Sequence, residues 1–392
     1  MKLAIVIERL EPWRGGAETS TYEIARLLAA RGHDLHVVTA TSGVTLPNMT
    51  VHHIPSARLL RPLRTAAFIR RAAAFVHAGA FDLVYAVSPM PSADVYQPRG
   101  GLMGETLART VATRTSRPRR MLKQALMAMN VRQRSLLELE RGIFRKDGPT
   151  ILAVSQYVAS QCERLYGVVG PRVKVVFNGV NVAPLSAAER EMHRVTVRRQ
   201  YNVSDRMLLF LFIAHNFRLK GLGPLIETIS RLVVAGFVDF KLLVVGRDNP
   251  VGYQRQVNHR NLDRFVTFTG PTQRIDLFIN AADVLLHPTY YDPCSRVVLE
   301  ALSRGLPCIT TSFNGAAEVM TDGREGFVID TPDDAGLWAR RIEQLAAPEL
   351  RRSMSERALE LRERLSMSRH VDELDAVFAE LVHRRTPKTQ SA

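Results

Sequence analysis

The chain has 392 residues, which is too long for one ordinary hydrophobic core and predicts two domains. Its 46% hydrophobic and 23% charged content excludes wholesale disorder, and its net charge of +15 predicts a polyanionic neighbour: nucleic acid, an anionic membrane or a phosphorylated substrate. The widely spaced Cys162, Cys294 and Cys308 indicate reduced thiols in a cytoplasmic protein. The sequence shows no signal peptide and no apolar run as long as a membrane span, so we expect a soluble protein with peripheral membrane contact at most.

The first half of the chain alternates strands and helices. Residues 3–7 are wholly apolar, which predicts a strand covered on both faces. A helix over 19–31 and a strand over 35–39 complete a βαβ unit and therefore a parallel sheet. Further predicted elements are strands over 51–54, 83–87, 151–155 and 173–181, and a basic helix over about 62–78.

The same rhythm restarts after a polar segment, 184–200, which we interpret as a connector. Strands are predicted over 208–214, 240–245, 266–269, 284–287, 308–311 and 326–328, with helices between them and final helices over about 335–346 and 371–383. Two successive β/α sets predict an α/β protein of two Rossmann-like domains facing across a cleft. We expect the first domain at 1–172 and the second at 173–370. A last segment, 371–392, would cross back to the first domain and end in a polar, disordered tail at 384–392.

A basic insertion, residues 99–146, interrupts the first domain. It contains twelve Lys and Arg residues against three acids. Within 119–127 the basic residues alternate with Leu, Met and Ala, which predicts a cationic amphipathic helix suited to an anionic lipid surface. A solvated face of the domain is the alternative. Nucleic acid is a third reading, and the absence of any aromatic residue except Phe144 argues against it.

Asp292 and Glu300 follow the apolar stretch 282–288, which places their loop at the carboxyl edge of a sheet, where open α/β folds bind ligands. We expect Asp292 near the start of a helix and Glu300 about two turns further on. At roughly 100° a residue, their side chains would lie within about 80° on one face. One carboxylate could then meet a ligand at the helix start while the other reaches it from the flank. A helix-start carboxylate with a solvated Glu remains the alternative.

Two loops carry features suited to phosphate. Gly15 and Gly16 lie between the first strand and its helix, where backbone N–H groups approach an anion closely, although a flexible turn explains them as well. Arg218 and Lys220 precede a glycine and a helix in the second half, and they suit the diphosphate of a sugar nucleotide without a metal, although Lys-Gly pairs are common. The histidines, among them His215 and His287, lack metal-ligand spacing, and neither a P-loop nor a serine-hydrolase elbow is present.

In this order, the motifs resemble those of the retaining glycosyltransferases of the GT-B fold, in the family marked by an acidic residue, seven residues and Glu. The matching positions are Gly15, Gly16 and Glu18, 153–155, 178–180, Arg218 and Lys220, Gly246, 292–300, 305–307, Gly315 and Glu318. Within that family the chain is most similar to the bacterial lipopolysaccharide core glucosyltransferases that add glucose to heptose, on the stretch 90–96. The first acid of the family motif is usually Glu, and this chain has the shorter Asp292.

The resemblance implies a role for each matching residue. Asp292 would bind the donor sugar's hydroxyls, Glu300 the nucleotide ribose, and Arg218 and Lys220 the diphosphate leaving group. Asp94 would orient or deprotonate the acceptor hydroxyl. The residues implied for nucleotide-sugar binding are Gly15, Gly16, Arg218, Lys220, Gly246, Asp292, Pro293, Cys294, Ser295 and Glu300.

The activity implied by the resemblance is the retaining transfer of a hexose, glucose, from UDP-glucose to a lipid-linked or lipopolysaccharide-core-type acceptor. It implies no metal cofactor. Expected partners are the nucleotide sugar, a glycolipid or polysaccharide acceptor and an anionic membrane, with no nucleic acid, at the cytoplasmic face of the inner membrane. The alternative is a non-catalytic protein that binds nucleic acid or membrane on a degenerate transferase scaffold.

Overall fold

The computed structural model describes residues 1–44, 48–55, 63–114 and 116–385. The chain divides into two compact units. Unit 1 consists of Met1–Gly179 together with Met367–Ala392, and unit 2 is Val180–Ser366. Most of the predicted tail, 384–392, and the first residue of the predicted helix 62–78 lie outside the described residues.

The strands and helices alternate along most of the chain. The strands are β1 (Lys2–Val6), β2 (Arg9–Leu10), β3 (Asp34–Thr39), β4 (Thr41–Ser42), β5 (Thr50–His53), β6 (Leu83–Ala86), β7 (Val95–Tyr96), β8 (Thr150–Ala153), β9 (Val173–Val175), β10 (Leu208–Ile213), β11 (Phe240–Val245), β12 (Val266–Gly270), β13 (Val284–His287), β14 (Cys308–Thr311) and β15 (Gly326–Ile329). The helices are α1 (Gly16–Ala30), α2 (Arg64–Ala78), α3 (Met103–Ala112), α4 (Arg117–Ala128), α5 (Val131–Ile143), α6 (Gln156–Tyr166), α7 (Ala187–Gln200), α8 (Leu222–Val234), α9 (Val251–His259), α10 (Ile275–Ala281), α11 (Arg296–Ser303), α12 (Ala335–Gln344), α13 (Pro348–Glu360) and α14 (Met367–Arg385).

Unit 1 is built on a parallel sheet. Within the described residues the sheet has seven strands in the order β5-β3-β1-β6-β7-β8-β9. Its first strand, β1, is apolar and almost wholly buried, as expected for a strand covered on both faces. The C-terminal helix α14 belongs to this unit, where Phe378 packs 5.4 Å from Tyr85 and Asp372 accepts a hydrogen bond from Arg31. The unit is therefore closed by a segment that follows unit 2 in the sequence.

The divisions between the units differ from the boundaries predicted at 172/173 and 370/371. Strand β9 pairs with β8 in the sheet of unit 1, so the first division falls after Gly179. The second falls before Met367, because α14 starts four residues earlier than the predicted segment at 371. Local patterns locate the strand and the helix, but only pairing and packing show to which unit each belongs.

Unit 2 is a second parallel sheet, whose six strands in the described chain follow the order β12-β11-β10-β13-β14-β15. This is the 3-2-1-4-5-6 strand order of a Rossmann fold. All six residues of β10 are buried, and its Phe210 and Phe212 form the core with Phe240 and Trp338. The order reverses between β10 and β13, and in such sheets ligands bind at the carboxyl ends of the strands that flank this switch point.

The segment 184–200, interpreted above as a connector, is largely helical. Residues Ala187–Gln200 form α7, which begins with a capping box in which Ser186 and Glu189 each bond to the other's backbone N–H. The polar composition hid this helix, because only His193, Val197 and Arg198 are buried. Its inner face is held by ion pairs from Arg194 and Arg198 to Asp283, each at 3.1 Å.

None of the helices in the described ranges is both long and apolar enough to span a bilayer. All three cysteines are free and buried.

Candidate active site

Two loops of unit 2 meet at the carboxyl edge of its sheet, one after β10 and the other after β13. The Tyr290 N–H donates to the Leu219 carbonyl at 2.9 Å, which joins the loops through the backbone. Gly221 lies in the left-handed region at φ +80°, and a Cβ there would fall 1.9 Å from the Pro288 carbonyl oxygen. Only glycine permits this approach, which brings the side chains of both loops to the switch point.

Lys220 and Asp292 form the centre of the candidate site. The Lys220 ammonium donates to Asp292 Oδ2 at 2.6 Å and to the Tyr291 carbonyl at 2.9 Å. His287, the last residue of β13, places Nε2 3.4 Å from the same carboxylate oxygen. The structure therefore brings together two residues predicted from the sequence and adds His287, for which the sequence indicated only that metal-ligand spacing is absent.

The charges in this cluster are set by burial and by each other. Burial alone would raise the pKa of Asp292, but the Lys220 ammonium and the nearby His287 imidazole outweigh it and hold that pKa well below its usual range. Burial lowers the pKa of His287, and the Lys220 charge opposes the raising effect of Asp292. The cluster therefore consists of a carboxylate, an ammonium and a neutral imidazole at neutral pH.

Asn314 fixes the loop that carries Asp292. The Asp292 N–H donates to the Phe313 carbonyl at 2.9 Å, and the Gly315 N–H donates to the Asp292 carbonyl at 3.0 Å. The buried Asn314 amide oxygen accepts from the Ser295 N–H at 3.1 Å and from the Ala316 N–H at 3.0 Å. One side chain thus ties the loop after β14 to the start of α11. The asparagine directly precedes Gly315, one of the positions matched in the sequence, but no local signal marked Asn314 as the residue that fixes this loop.

Helix α11 begins later than the sequence suggested. Its first residue is Arg296 and its N-cap is Ser295, so Asp292 lies in the preceding loop. The prediction that Asp292 and Glu300 share a helical face is therefore wrong, because the helical angle applies only to Glu300. Glu300 lies in the second turn, where it accepts from Arg296 at 3.1 Å with most of its surface covered.

The residues between Asp292 and α11 line the approach to that helix. Pro293, Cys294 and Ser295 are all buried. The Ser295 N–H is already bonded to Asn314, so its role is to hold the helix start in place. Their predicted contact with a nucleotide sugar remains a prediction.

Arg218 and Lys220 have different partners although only Leu219 separates them. Arg218 is exposed, and its guanidinium lies near the hydroxyl of Tyr253. Burial raises the pKa of Tyr253, and the Arg218 guanidinium offsets part of that rise. A positive charge thus lies beside α9, in addition to the ammonium at Asp292.

Gly246 ends β11 at the same edge of the sheet. Its φ of +152° is unusual for other residues, and a Cβ would fall 1.8 Å from the Ala214 carbonyl oxygen. Close packing of β11 against the end of β10 therefore accounts for this glycine, independently of the predicted ligand contact.

In unit 1, Gly15 and Gly16 lie where the sequence placed them, between β1 and the start of α1. Gly15 is the N-cap of α1 in extended conformation, and the Gly15 carbonyl accepts from the Thr19 N–H at 3.0 Å. A Cβ on Gly15 would lie 3.0 Å from Glu18 Oε2, so the Glu18 carboxylate curls towards the helix start. The loop follows the carboxyl end of its strand, as an anion-binding glycine loop does.

Asp94 has structural contacts at its position. It immediately precedes β7 and therefore lies at the amino edge of the unit 1 sheet. Its carboxylate accepts from the Val84 N–H at 2.6 Å and forms an ion pair with Arg385. The stretch 90–96 contains a turn and a short strand, and Asp94 fastens that strand to its neighbour and to α14. These contacts explain the residue without an acceptor, and its predicted role towards the acceptor hydroxyl remains a prediction.

The cluster is suited to a diphosphate-bearing ligand. Lys220 and Arg218 supply cations, Asp292 supplies a hydrogen-bond acceptor, and Gly221 allows the two loops that carry these residues to approach each other. Across the residues that the structure describes, no group of three or more His, Cys, Asp or Glu is placed to hold a metal ion.

Comparison with known proteins agrees with this arrangement. Residues 194–361 match the family described as Glycosyl transferases group 1, and residues 14–183 match Glycosyltransferase Family 4. The lipopolysaccharide glucosyltransferase WaaG of Escherichia coli K12 is 24% identical over 320 residues, which cover 81% of this chain and 82% of WaaG. N-acetyl-alpha-D-glucosaminyl L-malate synthase of Bacillus anthracis is 25% identical over 372 residues, 92% of each chain.

Solved structures show the same fold. The crystal structure of WaaG, a glycosyltransferase involved in lipopolysaccharide biosynthesis, superposes with a TM-score of 0.81 at 22% identity, covering 96% of this chain and 99% of WaaG. Anabaena HepE in complex with UDP and glucose gives a TM-score of 0.73 at 18% identity, with 97% and 99% covered. The fold is therefore the two-domain α/β architecture called GT-B, which confirms the fold predicted from the sequence.

The class defined by fold and site is thus a GT-B enzyme. The chain belongs to the glycosyltransferases, with the Family 4 region in unit 1 and the group 1 region in unit 2. This confirms the family resemblance inferred from the motifs.

Proposed function

We propose that the chain is a retaining glycosyltransferase that moves glucose from UDP-glucose to a lipopolysaccharide-core-type or other lipid-linked acceptor at the inner face of the cytoplasmic membrane. The observation that carries the proposal is the Lys220–Asp292–His287 cluster at the switch point of unit 2. UDP and glucose in the HepE complex support this donor, and the name of WaaG supports this acceptor.

In the proposed reaction, Lys220 and Arg218 neutralise the diphosphate as its charge grows. The bond between the sugar C1 and the diphosphate oxygen breaks, and a bond from C1 to the acceptor oxygen forms on the same face. The acceptor's proton passes to the leaving diphosphate, so that no carboxylate nucleophile is needed. Preorganised cations stabilise the charge that develops in the transition state, which is where such groups contribute most.

The carboxylates have binding roles in this proposal. Asp292 accepts hydrogen bonds from the sugar hydroxyls, and its low pKa keeps it ionised and able only to accept. Glu300 accepts from the ribose hydroxyls. Gly15 and Gly16 of unit 1 offer backbone N–H groups to phosphate or sugar, while Gly246, Pro293, Cys294 and Ser295 shape the nucleotide-sugar site.

The membrane part of the proposal rests on helix α4 and the residues after it. Met121, Leu122 and Leu126 expose 62%, 61% and 57% of their surface, and Met129 exposes 78%. The basic residues of the same helix are Arg117, Arg119, Arg120 and Lys123. Exposed apolar side chains interspersed with cations suit an anionic bilayer, where each basic residue contributes about 1 kcal/mol. The exposed apolar side chains favour a membrane over nucleic acid as the polyanionic partner.

A panel of nucleotide sugars tests the donor. The full chain is incubated with UDP-, ADP- and GDP-linked hexoses, and the measurements are thermal stabilisation and release of free nucleotide. We expect UDP-glucose to give the largest response in both. If another nucleotide sugar gives the largest response, that sugar replaces UDP-glucose as the donor. If none of them releases nucleotide, the result favours a non-catalytic binding protein.

Glu300→Ala is the matched variant for this assay. It removes the proposed ribose contact and also the carboxylate partner of the largely covered Arg296, so the unfolding free energy of the variant is measured beside its affinity. We expect a weaker apparent affinity for UDP-glucose by about tenfold, since a hydrogen bond to a charged group contributes roughly 1.5–3 kcal/mol. Unchanged affinity and turnover would show that the nucleotide lies elsewhere.

A further inference from the structure

A cavity in unit 2 lies at the amino edge of its sheet. Its volume is 260 Å³, and it opens where α10 ends and β13 and β14 begin. We call it the arginine cavity, because its lining includes Arg190, Arg304, Arg351, Arg352 and the single acid Asp283. The Lys220–Asp292 pair lies at the carboxyl edge of the same strands, so the two sites are at opposite ends of β13.

The acid in the lining does not balance the arginines. Asp283 already accepts from Arg194 and Arg198 at 3.1 Å each, and from the Leu209 N–H at 2.7 Å. The carboxylate is thus committed to groups outside the lining. This leaves four guanidinium groups around a cavity whose own acid is already paired.

The other acids near the cavity are also engaged or peripheral. Asp276 pairs with Arg274 at 3.0 Å, and Glu300 pairs with Arg296 at 3.1 Å. Glu349 lies in the first turn of α13 near Arg351. The local balance of charge therefore remains positive.

Arg304 is the most informative residue of the cavity. Its Nε and Nη1 atoms are buried and have no hydrogen-bond partner in the described chain. Burial lowers the pKa of this guanidinium, while Glu300 and Asp276 act in the opposite direction at longer range. Arg304 as a whole is partly buried, and its two nitrogens without a partner cost free energy that an accepting anion would offset.

Two further arginines of the lining are exposed. Arg190 is in α7 and Arg352 is in α13. The first turns of these helices already carry Glu189 and Glu349, so the two arginines contribute through their own guanidinium charges. Arg351 has a separate structural role, because it donates to the carbonyls of Leu345 and Ala346 after α12.

We propose that the arginine cavity binds an oxyanion of the phosphate class, held by Arg304 from within and by Arg190 and Arg352 from its rim. Planar guanidinium groups match the geometry of phosphate oxygens, and several of them can bind one anion. The cavity is several times the roughly 30 Å³ that one water molecule occupies in the liquid, so it accommodates a phosphoryl group with its remaining waters. This site is independent of the donor site and does not rest on the proposed reaction.

Titration calorimetry with inorganic phosphate and with pyrophosphate tests the proposal at fixed ionic strength. Arg352→Gln is the principal variant, because Arg352 is exposed and its loss leaves the core intact. Arg304→Gln is the second variant. We expect each to weaken anion binding by about tenfold or more.

Arg357→Gln is the matched control, since Arg357 is exposed on the same helix α13 and pairs with Glu360 outside the cavity. The proposal fails if the wild type binds neither anion, or if Arg352→Gln binds as tightly as wild type. It also fails if Arg357→Gln weakens binding equally, because the effect would then be one of net charge. Binding lost in Arg218→Gln but retained in Arg352→Gln would assign the anion to the donor side instead.

The source of the phosphate is distinguished in a second arm. Vesicles of phosphatidylcholine with and without phosphatidic acid are co-sedimented with wild type, Arg352→Gln and Arg357→Gln. A loss specific to Arg352→Gln identifies a lipid headgroup as the ligand. Equal sedimentation of all three, together with the calorimetric difference, identifies a soluble phosphate.

Discussion

Lys220 Nζ lies 2.6 Å from Asp292 Oδ2, although 72 residues separate them in the chain. Both side chains are mostly covered, with 18% and 14% of their surface exposed. The pair exists because β10 and β13 are neighbours at the point where the strand order reverses. A cation and a hydrogen-bond acceptor thus share one position in the sheet.

Lys220→Ala is expected to reduce both stability and turnover. It leaves the largely buried Asp292 carboxylate beside a neutral His287, and breaking such a pair costs on the order of 3–5 kcal/mol. Urea unfolding measures the stability, and nucleotide release measures the turnover. Arg218→Gln is the control, because this exposed residue should affect turnover with little change in unfolding free energy. A Lys220→Ala variant as stable and active as wild type would contradict the assigned pair.

The stability of the protein should fall in mild acid through His287. Its folded pKa is below the ordinary 6.5, so below that pH the unfolded chain takes up a proton that the folded chain resists. Stability is therefore complete above the unfolded pKa and declines as the pH falls towards the folded pKa. Asp292 adds a further loss of stability as the pH falls below 3.8, its ordinary pKa, because its folded pKa is also lowered.

His287→Gln should flatten the decline that begins as the pH falls below about 6.5, because the titrating group is removed. The measurement is the unfolding free energy at several pH values, compared with wild type. His259→Gln, at an exposed position, is the control and should retain the slope of wild type. A His287→Gln variant with the wild-type slope would place the acid sensitivity elsewhere.

Gly221→Ala and Gly246→Ala are expected to destabilise unit 2. Each added Cβ would fall within 2 Å of a carbonyl oxygen, at 1.9 and 1.8 Å, and both positions have positive φ. We expect a cost of more than about 2 kcal/mol in thermal or urea unfolding. Gly223→Ala is the control, because nothing lies within 4 Å of a Cβ there. In the first turn of α8 it should be neutral or stabilise by about 0.5–1 kcal/mol.

Membrane binding is expected to depend on the exposed face of α4. Reversing Arg119 and Arg120 to Glu should weaken co-sedimentation with anionic vesicles by more than tenfold, at about 1 kcal/mol for each charge removed. Met121→Gln with Leu122→Gln should weaken it through lost apolar contact. Val234→Gln removes a similarly exposed apolar side chain from unit 2 and is the control. Equal binding to neutral vesicles, or binding insensitive to salt, would contradict the electrostatic part of this prediction.

Much of the fold could be predicted from local patterns. Apolar runs such as 208–214 and 284–287 identified the central strands, because strands covered on both faces are apolar throughout. The loops after β1 and β10 and the motif 292–300 stood out because glycine, paired cations and spaced carboxylates suit phosphate and sugar chemistry. The order of these motifs along the chain then allowed the family resemblance to be recognised. Composition masked α7, because most of its residues are solvated.

Only the tertiary structure decided which residues act together. His287 is the last residue of an apolar strand, and its role follows from the loop that brings Asp292 back beside it. Asn314 positions the site because it accepts a hydrogen bond from Ser295 at the start of α11, a helix that precedes it in the chain. Asp94 lies at the amino edge of its sheet, where its carboxylate accepts from the Val84 N–H. The sequence by itself determined the strands, the loops and the chemical types of the site residues. Strand order and the long-range pairing of Lys220 with Asp292 depend on which elements pack together, and this is a property of the folded chain that no local window contains.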